Sequence, residues 1–99
     1  MENQSIAKKN DQFRKTLSGC RVVLTAGVAD CDDRDAVIAA VKIFNKFTKG
    51  NDPYGERDFA FVEIRGCRYF FKFDYFDSNY EFFQGDGHRV LIIGRADEY

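Results

Sequence analysis

Apolar and aromatic side chains fill two runs, residues 58–64 and 67–76, on either side of Arg65-Gly66, a pattern that predicts two strands joined by a tight turn. A two-residue hairpin at that point sets Ile64 against Cys67, Val62 against Tyr69 and Ala60 against Phe71 on one face. The same register sets Glu63 against Arg68, Phe61 against Phe70, Phe59 against Lys72 and Arg57 against Asp74 on the other. Two opposite-charge pairs from a single register support it. Arg-Gly suits such a turn less well than Asn-Gly, so a longer loop with shifted pairings stays open.

Elsewhere the period changes. Ile6, Phe13 and Leu17 share one face if residues from about 4 to 17 are helical, with Gly19 placed to end that helix and a basic outer side. Arg21-Val22-Val23-Leu24-Thr25, between Gly19 and Gly27, predicts a short interior strand. Val37, Ala40, Val41, Phe44 and Phe47 form the stripe of a second helix, which begins at the acid cluster Asp30 to Asp35 and ends near Gly50. Carboxylates at a helix start cap free N–H groups, so capping explains that cluster. Asn51-Asp52-Pro53-Tyr54-Gly55 is a turn, and Gln84-Gly85-Asp86-Gly87 is another, ahead of a last apolar strand at Arg89 to Ile93. A short extra strand at 80–83 is also expected. The prediction is one α+β domain over residues 1–99, in two layers. An antiparallel sheet of about four strands packs on two helices, in the order α-β-α-β-β-(β)-β.

Composition narrows the chemistry. The chain has 99 residues, with eleven Phe and five Tyr, enough large side chains to support one small core. Fifteen Lys and Arg against sixteen Asp and Glu leave a net charge of −1, which excludes a general polycation. Residues 51–99 carry ten acids against six bases, whereas the first helix is basic. Cys20, Cys31 and Cys67 share no metal-ligand or redox spacing and are expected to be reduced thiols of a cytoplasmic protein. No apolar stretch approaches the roughly 20 residues that cross a bilayer.

No catalytic constellation, metal site or cofactor is predicted. A single His88 lacks converging partners, the Asp30 to Asp33 cluster lacks a known ligand spacing, and no glycine-rich phosphate loop is present. Four nearby carboxylates oppose activation of Cys31. What remains is aromatic. Alternation sends Tyr69, Phe71, Phe73 and Tyr75 to the core and leaves Phe59, Phe61, Phe70 and Phe76 on the opposite face, interleaved with Asp74 and followed by Asp77, Glu81 and Asp86. A patch of that size needs a cover, and the candidates are a helix of the same chain, a homodimer, a protein partner or stacked bases. Base stacking ranks below a protein partner because this half of the chain is acidic.

The run Asp11-Gln12-Phe13-Arg14, the strand Arg21 to Val28, the block Asn51-Asp52-Pro53-Tyr54-Gly55-Glu56, and Asp58-Phe59, Asp74-Tyr75, Asp77 and Glu98-Tyr99 resemble a family of short proteobacterial proteins. Its members, carried on chromosomes, plasmids and phages, are known only as a domain of unknown function, so the resemblance implies no activity. The loop before Arg89 is shorter than the family's pattern and lacks its prolines, and Cys20 stands where glycine is common. Carriage on mobile elements resembles that of small anti-CRISPR and anti-restriction proteins, an analogy of setting.

Three functions are expected in descending order. The first is a non-enzymatic interaction module, an inhibitor of a host defence complex that occludes a basic nucleic-acid-binding surface through Phe59, Phe61, Phe70, Asp74, Phe76, Asp77, Glu81 and Asp86. The second is a small enzyme or ligand binder using Tyr54, Glu56, Asp58 and His88 around the Asn51–Glu56 loop. The third is a nucleic-acid binder using Lys8, Lys9, Arg14 and Lys15.

Overall fold

The structure, a computed structural model, describes residues 2–53, 55–76 and 88–99, with backbone alone for residues 2–5, 76 and 88. The elements are α1 (Glu2–Thr16), β1 (Arg21–Leu24), α2 (Ala26–Ala29), α3 (Arg34–Ile43), β2 (Phe59–Ile64), β3 (Cys67–Phe76), β4 (His88–Arg95) and a 3-10 turn (Ala96–Glu98). The expected strand at 80–83 and the turn at 84–87 lie outside the described residues.

The hairpin forms in the predicted register, from Ile64 opposite Cys67 to Phe59 opposite Lys72. Arg65 and Gly66 take φ of 51° and 80°, the two left-handed positions that a tight hairpin turn demands. The expected Arg57–Asp74 pair is absent. Arg57 turns out of the strand line with φ 53°, and its guanidinium binds Asp11 Oδ2 at 2.5 Å.

The sheet is mixed, which corrects the antiparallel expectation. Its order is β1-β4-β3-β2, with β2, β3 and β4 antiparallel and β1 parallel to β4, Val22 beside Leu91. β1, expected in the interior, is instead an edge strand of exposed and half-buried residues, because among the described residues β4 is its only neighbour in the sheet. The long stretch between β1 and β4 contains α2, α3 and the hairpin, and it supplies the crossover that a parallel neighbour requires. The inner face packs Val62, Tyr69, Phe71, Phe73, Leu91 and Ile93 against Val28, Val37 and Val41 of the helices.

α3 ends at Ile43 instead of running toward Gly50, and Phe44 is extended at φ −60°, ψ 132°. The guanidinium of Arg14 closes the helix. Its Nη1 donates to the carbonyls of Val41 at 2.8 Å and Phe44 at 2.7 Å, filling acceptors that would otherwise continue the helix. Phe44 and Phe47 then pack edge-on against Phe71. The acid cluster does not cap α3 through its side chains: Asp33 at the N-cap makes no such bond, and its N–H donates to Cys31 Sγ at 3.3 Å.

α1 packs Phe13 and Leu17 of the expected thin apolar stripe against the core and buries polar side chains beside them. Asn10 and Arg14 are sealed. The amide of Asn10 donates to the Glu56 carbonyl and to the Tyr75 hydroxyl, both at 2.9 Å, and accepts from Arg89 Nε at 2.8 Å. Three elements distant in sequence are thereby held by one side chain, with its donors and acceptor partnered as burial requires.

Candidate partner-binding face

Because side chains alternate along a strand, the register fixes what the outer face carries: Phe59, Phe61 and Glu63 from β2, Arg68, Phe70, Lys72 and Asp74 from β3, Val90, Ile92 and Gly94 from β4. α1, α2 and α3 contribute their buried apolar residues to the other side, so the cover here comes from elsewhere. Among the described residues it is Tyr99, whose ring centroid lies 5.0 Å from that of Phe59 and 5.1 Å from that of Phe70.

Glu98 holds Tyr99 there. Its carboxylate accepts from the Thr25 hydroxyl at 2.6 Å, Arg95 N–H at 2.8 Å and Gly27 N–H at 3.0 Å. The Thr25 hydroxyl and those two N–H groups hold its pKa below the usual carboxylate value. Glycine at position 94 makes room for the Phe70 ring: a Cβ there would stand 2.7 Å from Phe70 and 2.7 Å from Thr25. Phe70 is therefore buried, at 2% exposure, while Phe59 and Phe61 are half-buried. Of the covers that the sequence left open, the chain supplies part itself, through Tyr99 and not through a helix.

Phe59 and Phe61 meet edge-on at 5.1 Å, and the Arg68 guanidinium lies over Phe61 at 4.0 Å. Lys72 Nζ lies 3.5 Å from Asp74 Oδ2 and 5.8 Å from the Tyr99 ring centroid. The described part of this face is thus aromatic with mixed charge. Of the expected site residues, the structure brings Phe59, Phe61 and Phe70 together and puts Asp74 on the same face of β3, beyond Lys72. The Phe76 side chain and Asp77, Glu81 and Asp86 lie outside the described residues. Tyr99 was missed, because no periodicity within the chain relates a residue after the last strand to β2 and β3.

Around the Asn51–Glu56 loop, Asp52 organises the turn, its Oδ1 accepting the N–H groups of Glu56 and Arg57, both at 3.1 Å. Asp58 lies 3.4 Å from the Tyr75 hydroxyl, which donates to it. Burial raises the pKa of Asp58, and the charges of Asp52 and Asp74 add to that. Burial also raises that of Glu56, with Asp58 and Asp52 contributing. Tyr54 and the His88 side chain lie outside the described residues. The nucleic-acid reading through α1 loses one member. Arg14 is buried and tied to Asp11 at 2.7 Å, so it cannot reach a phosphate, whereas Lys8 and Lys15 are exposed.

A shallow cavity of about 460 Å³ opens between α2, the Asp30–Asp33 segment and the start of β3, lined in part by Cys31, Cys67, Tyr69 and Arg95. On its wall the Tyr69 hydroxyl meets Cys31 Sγ at 3.4 Å. This hydrogen bond, followed by burial, pushes the phenol pKa to about 12. Period-2 spacing puts Cys67 and Tyr69 on one face, but Cys31 joins them only through α2, an element too short to read from periodicity.

A small α+β domain, with helices on one face of a mixed sheet and an aromatic patch under a terminal turn on the other, is the class that these features define. Residues 24–98 match the family described as Protein of unknown function (DUF3768), and the chain belongs to it. No curated protein and no solved structure matches the chain. The matched residues run from the end of β1 through the 3-10 turn and include Glu98, and α1 precedes them. Among the described residues no helix is long and apolar enough to cross a membrane.

Proposed function

We propose that this protein is a non-enzymatic interaction module that docks the outer face of its sheet onto a basic protein surface. In its most specific form it is an anti-defence inhibitor of the anti-CRISPR or anti-restriction type, occluding the nucleic-acid-binding surface of a host complex. The observation that carries the reading is the Phe59–Phe61–Phe70 cluster, lying on the face away from the helices and shielded by a Tyr99 ring that is itself 68% exposed. A cluster of this kind supplies the apolar anchors of an interface. Complementary charge comes from the chain that follows: from Asp74 to Asp86 there are four acids and no base. This stretch begins on the outer face, at Asp74 of β3.

The test is capture from a nuclease-treated host lysate by the wild-type chain, by Phe61→Ala and by the double variant Asp74→Lys with Asp77→Lys, followed by nucleic-acid binding of the purified partner with and without the protein. The reading expects a stoichiometric partner retained by the wild type, whose nucleic-acid binding the protein suppresses. It also expects about 30-fold weaker binding for each folded variant, the scale of a lost anchor. Equal retention by the double variant, or a partner whose nucleic-acid binding is untouched, would overturn it.

A further inference from the structure

Among the described residues, the edge of β2 away from β3 pairs with no strand. Phe73 N–H donates to the Asp58 carbonyl at 2.9 Å, and the alternation of an antiparallel ladder then points the main-chain groups of Asp58, Ala60, Val62 and Ile64 at β3. Those of Phe59, Phe61 and Glu63 point the other way, off the sheet, and among the described residues β2 is the last strand on that side. Edges of this kind are ordinarily guarded by lysine, proline, a bulge or a covering segment. β2 reads Phe-Ala-Phe-Val-Glu-Ile, with one charge and no proline, and pairs with β3 in unbroken register without a bulge. The other edge, β1, is only four residues long and opens on Arg21.

We propose that this edge is a homodimer interface, in which β2 of one copy pairs antiparallel with β2 of a second across a two-fold axis at Phe61. The register is self-complementary. Phe61 faces its own counterpart, Phe59 faces Glu63, and Ala60 faces Val62, so that no strand residue meets a like charge. The continuation of that register would oppose Arg57 to Arg65, but Arg57 has left the strand line and its charge is held by Asp11. Residues 59, 61 and 63 of the two copies exchange about six main-chain hydrogen bonds. A net charge of −1 per chain offers little repulsion between copies. The pairing joins two sheets into one and places both Phe59–Phe61 pairs on the same outer side, doubling the aromatic face. An interface this small is weak, with dissociation expected in the range of about 10–100 µM.

The proposal stands independently of any partner and is tested on the full chain alone. Sedimentation velocity from about 1 to 500 µM should show a reversible monomer–dimer equilibrium. Glu63→Pro, which removes an outward N–H and obstructs approach, should weaken it at least about tenfold, whereas Glu63→Ala should leave it within about threefold. Hydrogen exchange by NMR needs no variant: the amides of Phe59, Phe61 and Glu63 should be protected at high concentration and exchange freely on dilution. A monomer throughout the range, or a dimer in which those three amides exchange freely, would overturn the proposal.

Discussion

Removing Arg14 tests whether a buried cation is what ends α3. Its Nη1 donates at 2.8 Å to Val41 and at 2.7 Å to Phe44, and its Nη2 binds Asp11 at 2.7 Å. Its Cζ lies 5.5 Å from the ring centroid of Phe47 and 5.3 Å from that of Phe71. Hydrogen bonds to a charged group contribute about 1.5–3 kcal/mol each, which gives about 3–6 kcal/mol for the two carbonyl bonds. Against this stands the desolvation of the guanidinium, whose Nε is buried without a partner. Truncation also leaves a void that water can enter to reach the exposed carbonyls. We therefore expect Arg14→Ala to cost about 3–4 kcal/mol, with Arg14→Lys costing about half that, since an ammonium reaches the carbonyls without the planar fork. A loss of this size consumes much of the 5–15 kcal/mol typical of a domain and lowers Tm by about 12–30 °C. Urea unfolding followed by far-ultraviolet circular dichroism measures it. A loss below about 1 kcal/mol for Arg14→Ala would show that the α3 carbonyls are satisfied without the cation, and the account of the helix end would fail.

Asp58 is harder to ionise in the folded protein than its ordinary value of 3.8. Its contribution to stability is therefore present in full below that value and is lost as pH rises through the higher folded value. Asp58→Asn should raise the urea midpoint at pH 7 and leave it close to wild type near pH 3; a lower midpoint at pH 7 would contradict the assignment of burial as the main cause. Gly94→Ala places a methyl group 2.7 Å from Phe70 and should cost about 1–3 kcal/mol, displacing that ring and Tyr99 with it. Thermal melting and the aromatic proton shifts of Tyr99 report both effects, and unchanged shifts would refute the close fit.

The alternation of the two aromatic runs pointed to the β2–β3 register that forms, although the Arg-Gly turn left a longer loop open. Arg65-Gly66 sits between two runs whose alternation is matched when Ile64 meets Cys67, and a slip of one residue would turn core side chains outward. α1 and its stop, the presence of β1, the final strand and the identity of the core aromatics were legible likewise, because each depends on period and on local turn chemistry within a few residues. The interior place expected for β1 was not, since its burial depends on having a neighbour on both sides and among the described residues it has only β4. Tertiary structure decided the rest. Arg14 read as part of a basic outer side because periodicity counts a cation as polar, and only the arrival of α3's carbonyls makes its burial favourable. α3 ends early for the same reason. The parallel pairing of β1 with β4 could not be read from either strand, since a short apolar run carries no mark of its neighbour's direction. Tyr99 reaches the aromatic face because Glu98 finds Thr25 and Gly27, partners more than seventy residues away in the chain. Local periodicity carries the interactions that lie within one element; hydrogen bonds and ring contacts between distant elements have no period, and only the folded chain brings them together.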